Sequence, residues 1–148
     1  MYALNHIALF VPDLRATEVF YQQVFDMEVL FREASMDDGD YTLPAGTGWE
    51  EANQAGIEIS VVFLGRGGFV QPIFAGDPQP GTVLEIGITA SQEEIDAVRN
   101  RLPDDGALLP HPHGDCSFAD PFGFTWHLYP PSETLLSNGE LSGAWLDL

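Results

Sequence analysis

Two periods run through the hydrophobic and polar positions of this chain. Residues 4–11, Leu-Asn-His-Ile-Ala-Leu-Phe-Val, are β-rich and stop at Pro12, which predicts a strand. Asp13 follows as a helix N-cap. Leu14, Thr17, Phe20, Tyr21, Val24 and Phe25 then recur at three- and four-residue spacing, predicting a helix with one buried stripe that ends near Phe25. Residues 28–33 read as a second strand. Residues 35–56 are polar and glycine-rich; they predict a long loop, with a turn at Met36–Asp40 and a helical turn around Trp49–Ala52. Residues 57–64 form the next strand, Gly65–Gly68 a hairpin turn, and Phe69–Ala75 a returning strand in which Pro72 signals an edge or an irregularity. A linker of Gly and Pro, Gly76–Gly81, sits at mid-chain.

The second half repeats the first. Thr82–Ala90 predicts a strand, Ser91-Gln92-Glu93-Glu94 a capping box, and Ile95, Val98 and Leu102 a helical stripe closed by Pro103. Residues 107–112, 115–119 and 124–130 read as three more strands. The order strand–helix–strand–strand–strand thus occurs twice, with His6-Ile7-Ala8-Leu9 aligned on Glu85-Ile86-Gly87-Ile88. Each unit alone leaves one sheet face bare, so the repeat is a statement about the fold. The predicted class is α+β, a single 148-residue domain with units at 4–76 and 82–130 and a C-terminal tail at 131–148. The tail ends in an apolar tip, Ala144–Leu148, suited to docking on the body or on a partner.

Strand alternation separates the chemistry from the core. Ile7, Leu9 and Val11 share one face of the first strand, and His6, Ala8 and Phe10 the other. Applied to the other strands, the same parity sets Glu85, Gly87 and Thr89 against Leu84, Ile86 and Ile88. It sets Thr125, His127 and Tyr129 against Phe124, Trp126 and Leu128, and Gln71, Ile73 and Ala75 against Val70, Pro72 and Phe74. Four strands therefore offer one polar residue each to a concave side: His6, Gln71, Glu85 and His127. Glu58 takes the place of Gln71 if 57–64 is the last strand of the first unit. A carboxylate amid apolar neighbours, as at Glu85, needs a metal, a cation or solvent.

Charge narrows the function classes. The chain carries 23 acidic and 5 basic residues, all Arg, for a formal net charge of −18. Such a surface repels phosphate backbones and anionic lipid, which excludes sequence-independent nucleic-acid binding. No apolar run reaches the ~20 residues of a membrane span. The start lacks a secretory pattern and Cys116 is the lone cysteine, so a cytoplasmic location is expected. Most of the carboxylates sit in turns and caps and serve solubility. His111, His113 and Asp115, beside Cys116, make a second cluster, which Pro110 and Pro112 place in a loop; Cys116 itself reads as a small apolar filler. No Ser-His-Asp triad or phosphate-cradling glycine loop is present.

Asn5-His6-Ile7-Ala8-Leu9-Phe10-Val11-Pro12-Asp13-Leu14 with Phe20-Tyr21 and Val24-Phe25, and Asp120-Pro121-Phe122-Gly123-Phe124-Thr125-Trp126-His127-Leu128, resemble the opening and closing motifs of the vicinal oxygen chelate superfamily. That superfamily holds glyoxalase I, bleomycin- and fosfomycin-resistance proteins and extradiol dioxygenases. The resemblance implies two βαβββ units curled into an open, mixed-sheet barrel around a pocket, and a homodimer. It implies a divalent metal (Fe, Mn, Ni or Zn) at His6, Glu85 and His127, with Gln71 as a weak fourth ligand. Two imidazoles and a carboxylate form a facial set with open positions for substrate. Tyr129 is the available acid–base, and Phe10, Trp49, Phe63 and Thr125 are candidate pocket residues. The implied activity is metal-dependent, of dioxygenase or lyase type, on a small substrate that chelates through adjacent oxygens. The alternative is a metal-free protein that sequesters a small, cationic, antibiotic-like ligand in a dimer groove.

Overall fold

The computed structural model describes residues 6–78, 83, 85–103, 116–131, 136–137 and 140–141. The chain divides into two compact units, Met1–Gln79 and Pro80–Leu148. His111, His113, Asp115, the predicted strand 107–112 and the apolar tip of the tail lie outside the described residues.

The first unit begins with β1 (Leu9–Val11), preceded by an isolated bridge between His6 and Val70. Pro12 ends the strand, and the Asp13 side chain accepts the Ala16 N–H at 2.8 Å to start α1 (Leu14–Phe25). Its buried stripe is Leu14, Thr17, Glu18, Tyr21, Val24 and Phe25; Phe20 is only half-buried, and a glutamate is inside instead. Asp26 ends the helix in the left-handed region (φ 56°). The strands β2 (Glu28–Met36), β3 (Gly39–Thr42), β4 (Val61–Arg66) and β5 (Phe69–Ala75) join β1 in one sheet ordered β1-β5-β4-β2-β3, with β1 and β5 parallel. Short helix α2 (Trp49–Gln54) precedes β4. The stretch 35–56 is thus the end of β2, a hairpin and a helix rather than one long loop. Every residue of β3 is exposed, so its sequence carries no burial alternation. Residues 57–60 lie outside β4.

Pro72 does not mark an edge. It lies inside β5, paired with Phe63 of β4 on one side, with β1 running on the other. The β1–β5 ladder has Gly76 N–H donating to Val11 O at 3.0 Å. Stepping back two residues at a time puts Ile7 O opposite the Pro72 nitrogen, which has no hydrogen to give. The buried Gln71 side chain fills that gap, its Nε2 donating to Ile7 O and, at 3.2 Å, to Pro72 O.

The second unit has a three-stranded sheet ordered β6-β8-β7, from β6 (Ile86–Thr89), β7 (Cys116–Ala119) and β8 (Thr125–Tyr129), with β6 and β8 parallel. Helix α3 (Gln92–Arg101) starts on the expected capping box: Glu94 N–H reaches Ser91 Oγ at 3.3 Å and Ser91 N–H reaches Glu94 Oε2 at 2.9 Å. A two-stranded ribbon, β9 (Leu136–Ser137) and β10 (Glu140–Leu141), lies in the tail. Cys116 is buried in β7. No helix among the described residues is long and apolar enough to cross a membrane.

The turn before β8 is built on Asp120. Its Oδ1 accepts from Phe122 N–H (2.9 Å) and Phe124 N–H (3.0 Å), and its Oδ2 from the Trp126 indole N–H (2.9 Å). Trp126 is fully buried. Asp120→Ala strands these donors in the interior, so thermal or denaturant unfolding should show a loss of about 3 kcal/mol. An unchanged midpoint would mean that water replaces the carboxylate.

Candidate metal centre

In the second unit, register and parity bring the chemistry to one face. Gly87 pairs with His127 and Thr89 with Tyr129, while Ser117 of β7 faces His127 from the other side. The opposite face carries Ile86, Trp126 and Leu128, all buried. Glu85 Oε1 lies 3.5 Å from His127 Nδ1. Tyr129 donates its hydroxyl to the same Glu85 oxygen at 3.1 Å, and its ring stacks on the imidazole with centroids 3.8 Å apart. The His127 side chain is fully buried and that of Glu85 is 31% exposed, so the carboxylate is the side of the pair open to solvent. Burial first, and then the hydrogen bond and charge of Glu85, raise the Tyr129 pKa above the ordinary tyrosine value. Gly87 makes room for this packing: a Cβ there would stand 3.1 Å from Tyr129 Cε2.

Two ligand atoms each ~2.1 Å from one cation stand roughly 3.0–3.4 Å apart, so the Glu85–His127 separation suits joint ligation with little movement. Nitrogen plus carboxylate oxygen is also a donor set for Fe, Mn, Ni or Zn. Among the described residues, no three or more His, Cys, Asp or Glu side chains form a group that could hold a metal ion.

In the first unit His6 is exposed on the face of Ala8 and Phe10, and its bridge to Val70 continues the register of Phe10 with Phe74. That register corrects the placement of Gln71. It lies opposite Ile7, on the aliphatic face with Leu9, Val11 and Ile73, and not on the face of His6. Ala8 faces Pro72 as Gly87 faces His127, so Pro72 occupies the position that corresponds to His127, and proline offers no ligand. Gln71 serves the strand joint with its amide nitrogen. Its Oε1 has no hydrogen-bond partner among the described residues.

Phe63 and Phe10 do share the His6 face, because Phe63 pairs with Pro72 and Phe10 with Phe74. Thr125 shares the His127 face. Trp49 belongs elsewhere. Its indole N–H donates to Glu18 Oε2 at 3.0 Å, beside α1. It also lines a surface groove of about 590 Å³ at the start of α1, together with Pro12, Arg15, Asn53 and the exposed Glu58. Glu58 precedes β4 and therefore does not take the place of Gln71. Ser117 was not among the candidates; the alternation of Cys116 and Phe118 with Ser117 and Ala119 was the available signal.

A family model described as the Glyoxalase/Bleomycin resistance protein/Dioxygenase superfamily matches residues 3–128. The chain belongs to this superfamily. The opening and closing motifs read from the sequence fall within the matched span, and its mixed α+β architecture is that of its solved relatives. The fosfomycin resistance protein FosX from Listeria monocytogenes is 22% identical, with a TM-score of 0.63 over 91% of this chain and 97% of that one. FosX from Mesorhizobium loti is 18% identical, with a TM-score of 0.55 over 87% and 91%. A structure described as a possible glyoxalase from Bacillus cereus is 19% identical, with a TM-score of 0.55 over 86% and 98%. At these identities the likeness speaks for the fold, while chemistry must come from the site. No curated protein matches the chain.

Proposed function

We propose that this superfamily member is a divalent-metal-dependent enzyme, of dioxygenase or lyase type, acting on a small substrate that presents two adjacent oxygens. The observation that carries the proposal is the convergence of Glu85 Oε1, His127 Nδ1 and the Tyr129 hydroxyl on one face of the β6-β8-β7 sheet. His6, aligned with Glu85 in the repeat, is the third ligand, and Gln71 is left out because its amide is spent in the core. Support for a metal also comes from the Listeria FosX structure with Mn(II) and sulfate. A bound cation polarises the substrate oxygens.

The protein's own groups do the rest. Glu85 offers one carboxylate oxygen toward His127 and also accepts from Tyr129, so it holds the phenol in place. Tyr129 keeps its proton through neutral pH and can deliver it to a substrate oxygen or take it back. The stacked Tyr129 ring fixes the plane of His127. Tyr129 is thus a proton carrier and not a ligand.

Metal analysis tests this. Purified protein is offered Fe(II), Mn(II), Ni(II) or Zn(II), separated from free ion, and assayed. About one ion per chain is expected in the wild type and also in Tyr129→Phe. No retained metal in the wild type overturns the enzyme reading in favour of metal-free ligand sequestration. Loss of metal in Tyr129→Phe alone overturns the role given to the phenol.

A further inference from the structure

The two proposed ligands that align in the repeat are held differently. Glu85 adjoins β6, whose ladder with β8 runs unbroken from Ile86 to Thr89. His6 is separated from β1 by Ile7 and Ala8, which belong to no strand. An isolated bridge ties His6 to Val70, and the regular β1–β5 register resumes only at Leu9 with Ile73. The interruption falls at Pro72. In a parallel ladder every second N–H of one strand answers a carbonyl of the other, and proline has none to give to Ile7 O, one residue beyond His6. In the second unit His127 stands at the corresponding place and is an ordinary ladder residue.

The Gln71 side chain supplies the missing donor, its Nε2 donating to Ile7 O and, at 3.2 Å, to Pro72 O. One amide thus grips both strands across the gap. Packing alone does not call for a glutamine there. Gln71 is fully buried, paired with Leu64 of β4 and on the face of Leu9, Val11 and Ile73, where an aliphatic side chain would bring no polar atom. The amide brings Oε1, which is buried with no hydrogen-bond partner among the described residues. A dry carbonyl oxygen works against stability. The bond to Ile7 is what a glutamine adds.

We propose that Gln71 positions His6 for the metal, a role that rests on the metal reading above. Its amide replaces the N–H that Pro72 lacks and so fixes the strand end that carries the imidazole. Gln71 acts through the Ile7 carbonyl and is not itself a ligand.

Gln71→Met keeps the length of the side chain and removes the donor. In the full-length protein it should weaken Zn(II) binding by about tenfold, read by competition with a chromophoric chelator, and speed amide hydrogen exchange over residues 7–10. Gln71→Met combined with Pro72→Val returns a backbone donor to the gap and should recover both. Val24→Ala, at a buried position of α1, should lower the unfolding midpoint and leave Zn(II) affinity unchanged. In a His6→Ala background, Gln71→Met should cost no further affinity, because no imidazole is left to place. Wild-type Zn(II) affinity in Gln71→Met overturns the inference and leaves the metal reading standing. So does an equal further loss in the His6→Ala background, which would give Gln71 a general structural role. If the wild type takes up no Zn(II), the metal reading falls and exchange decides. Unchanged exchange over residues 7–10 in Gln71→Met then overturns the hold itself, and faster exchange reversed by Pro72→Val upholds it.

Discussion

Glu18→Ala should destabilise the protein by about 3–5 kcal/mol, the range for a buried ion pair that loses one partner. The Glu18 side chain is 6% exposed and that of Arg32 14%. Arg32 grips the carboxylate with two bonds, Nη2 to Oε1 at 2.6 Å and Nε to Oε2 at 3.0 Å. The Trp49 indole N–H adds a third donor to the carboxylate, and Arg32 Nη1 donates to Thr47 O at 2.9 Å. One charge pair thus fastens α1, β2 and the segment that leads into α2. Removing the carboxylate leaves a guanidinium nearly dry and an indole N–H without its acceptor. A melting temperature lower by roughly 10 °C is the expected result, together with faster proteolysis between residues 43 and 56. The double variant Glu18→Leu with Arg32→Met removes both charges and fills the space, so it should recover most of the loss. A double variant as unstable as Glu18→Ala would show that the hydrogen bonds to Trp49 and Thr47, and not the unpaired charge, dominate.

That cluster had no sequence signal. Glu18 stands one residue from Thr17 at the edge of an apolar helical stripe, where a glutamate ordinarily points to water. Only the fold shows that Arg32, 14 residues away, comes up beneath it. The features that could be read were the local ones: the Pro12 stop with the Asp13 cap, the Ser91–Glu94 box, and the alternation that puts Glu85, His127 and Tyr129 on one side. Each depends on residues within a few positions of one another. Gln71 marks where local reading ended. Its parity within β5 was right, since Gln71 and Ile73 do share a face. Which face that is depends on pairing with β1, 64 residues away, and no count within one strand contains that. Pro72 misled for the same reason, because the amide that replaces its missing N–H is a tertiary partner. The hairpin at β3 was missed because an edge strand exposed on all four residues has no apolar rhythm.

The second large effect is on metal affinity. Glu85→Ala, His127→Ala and His6→Ala should each weaken Mn(II) or Zn(II) binding by ~100-fold or more, since loss of even an outer partner costs 10- to 100-fold. Glu85→Ala also frees the Tyr129 hydroxyl, while His127→Ala opens a cavity beneath the Tyr129 ring. Circular dichroism and unfolding midpoints should stay within the range of a surface substitution for His6→Ala and fall for His127→Ala, whose side chain is fully buried. His6→Ala is therefore the cleanest of the three, because its loss of metal cannot be traced to a damaged core.

Pulsed electron paramagnetic resonance of the Mn(II)-loaded protein counts the imidazole nitrogens on the ion. The account predicts two in the wild type and one in His6→Ala, with the remaining signal lost in the double variant His6→Ala, His127→Ala. Two imidazoles persisting in His6→Ala, or none in the wild type, would contradict it.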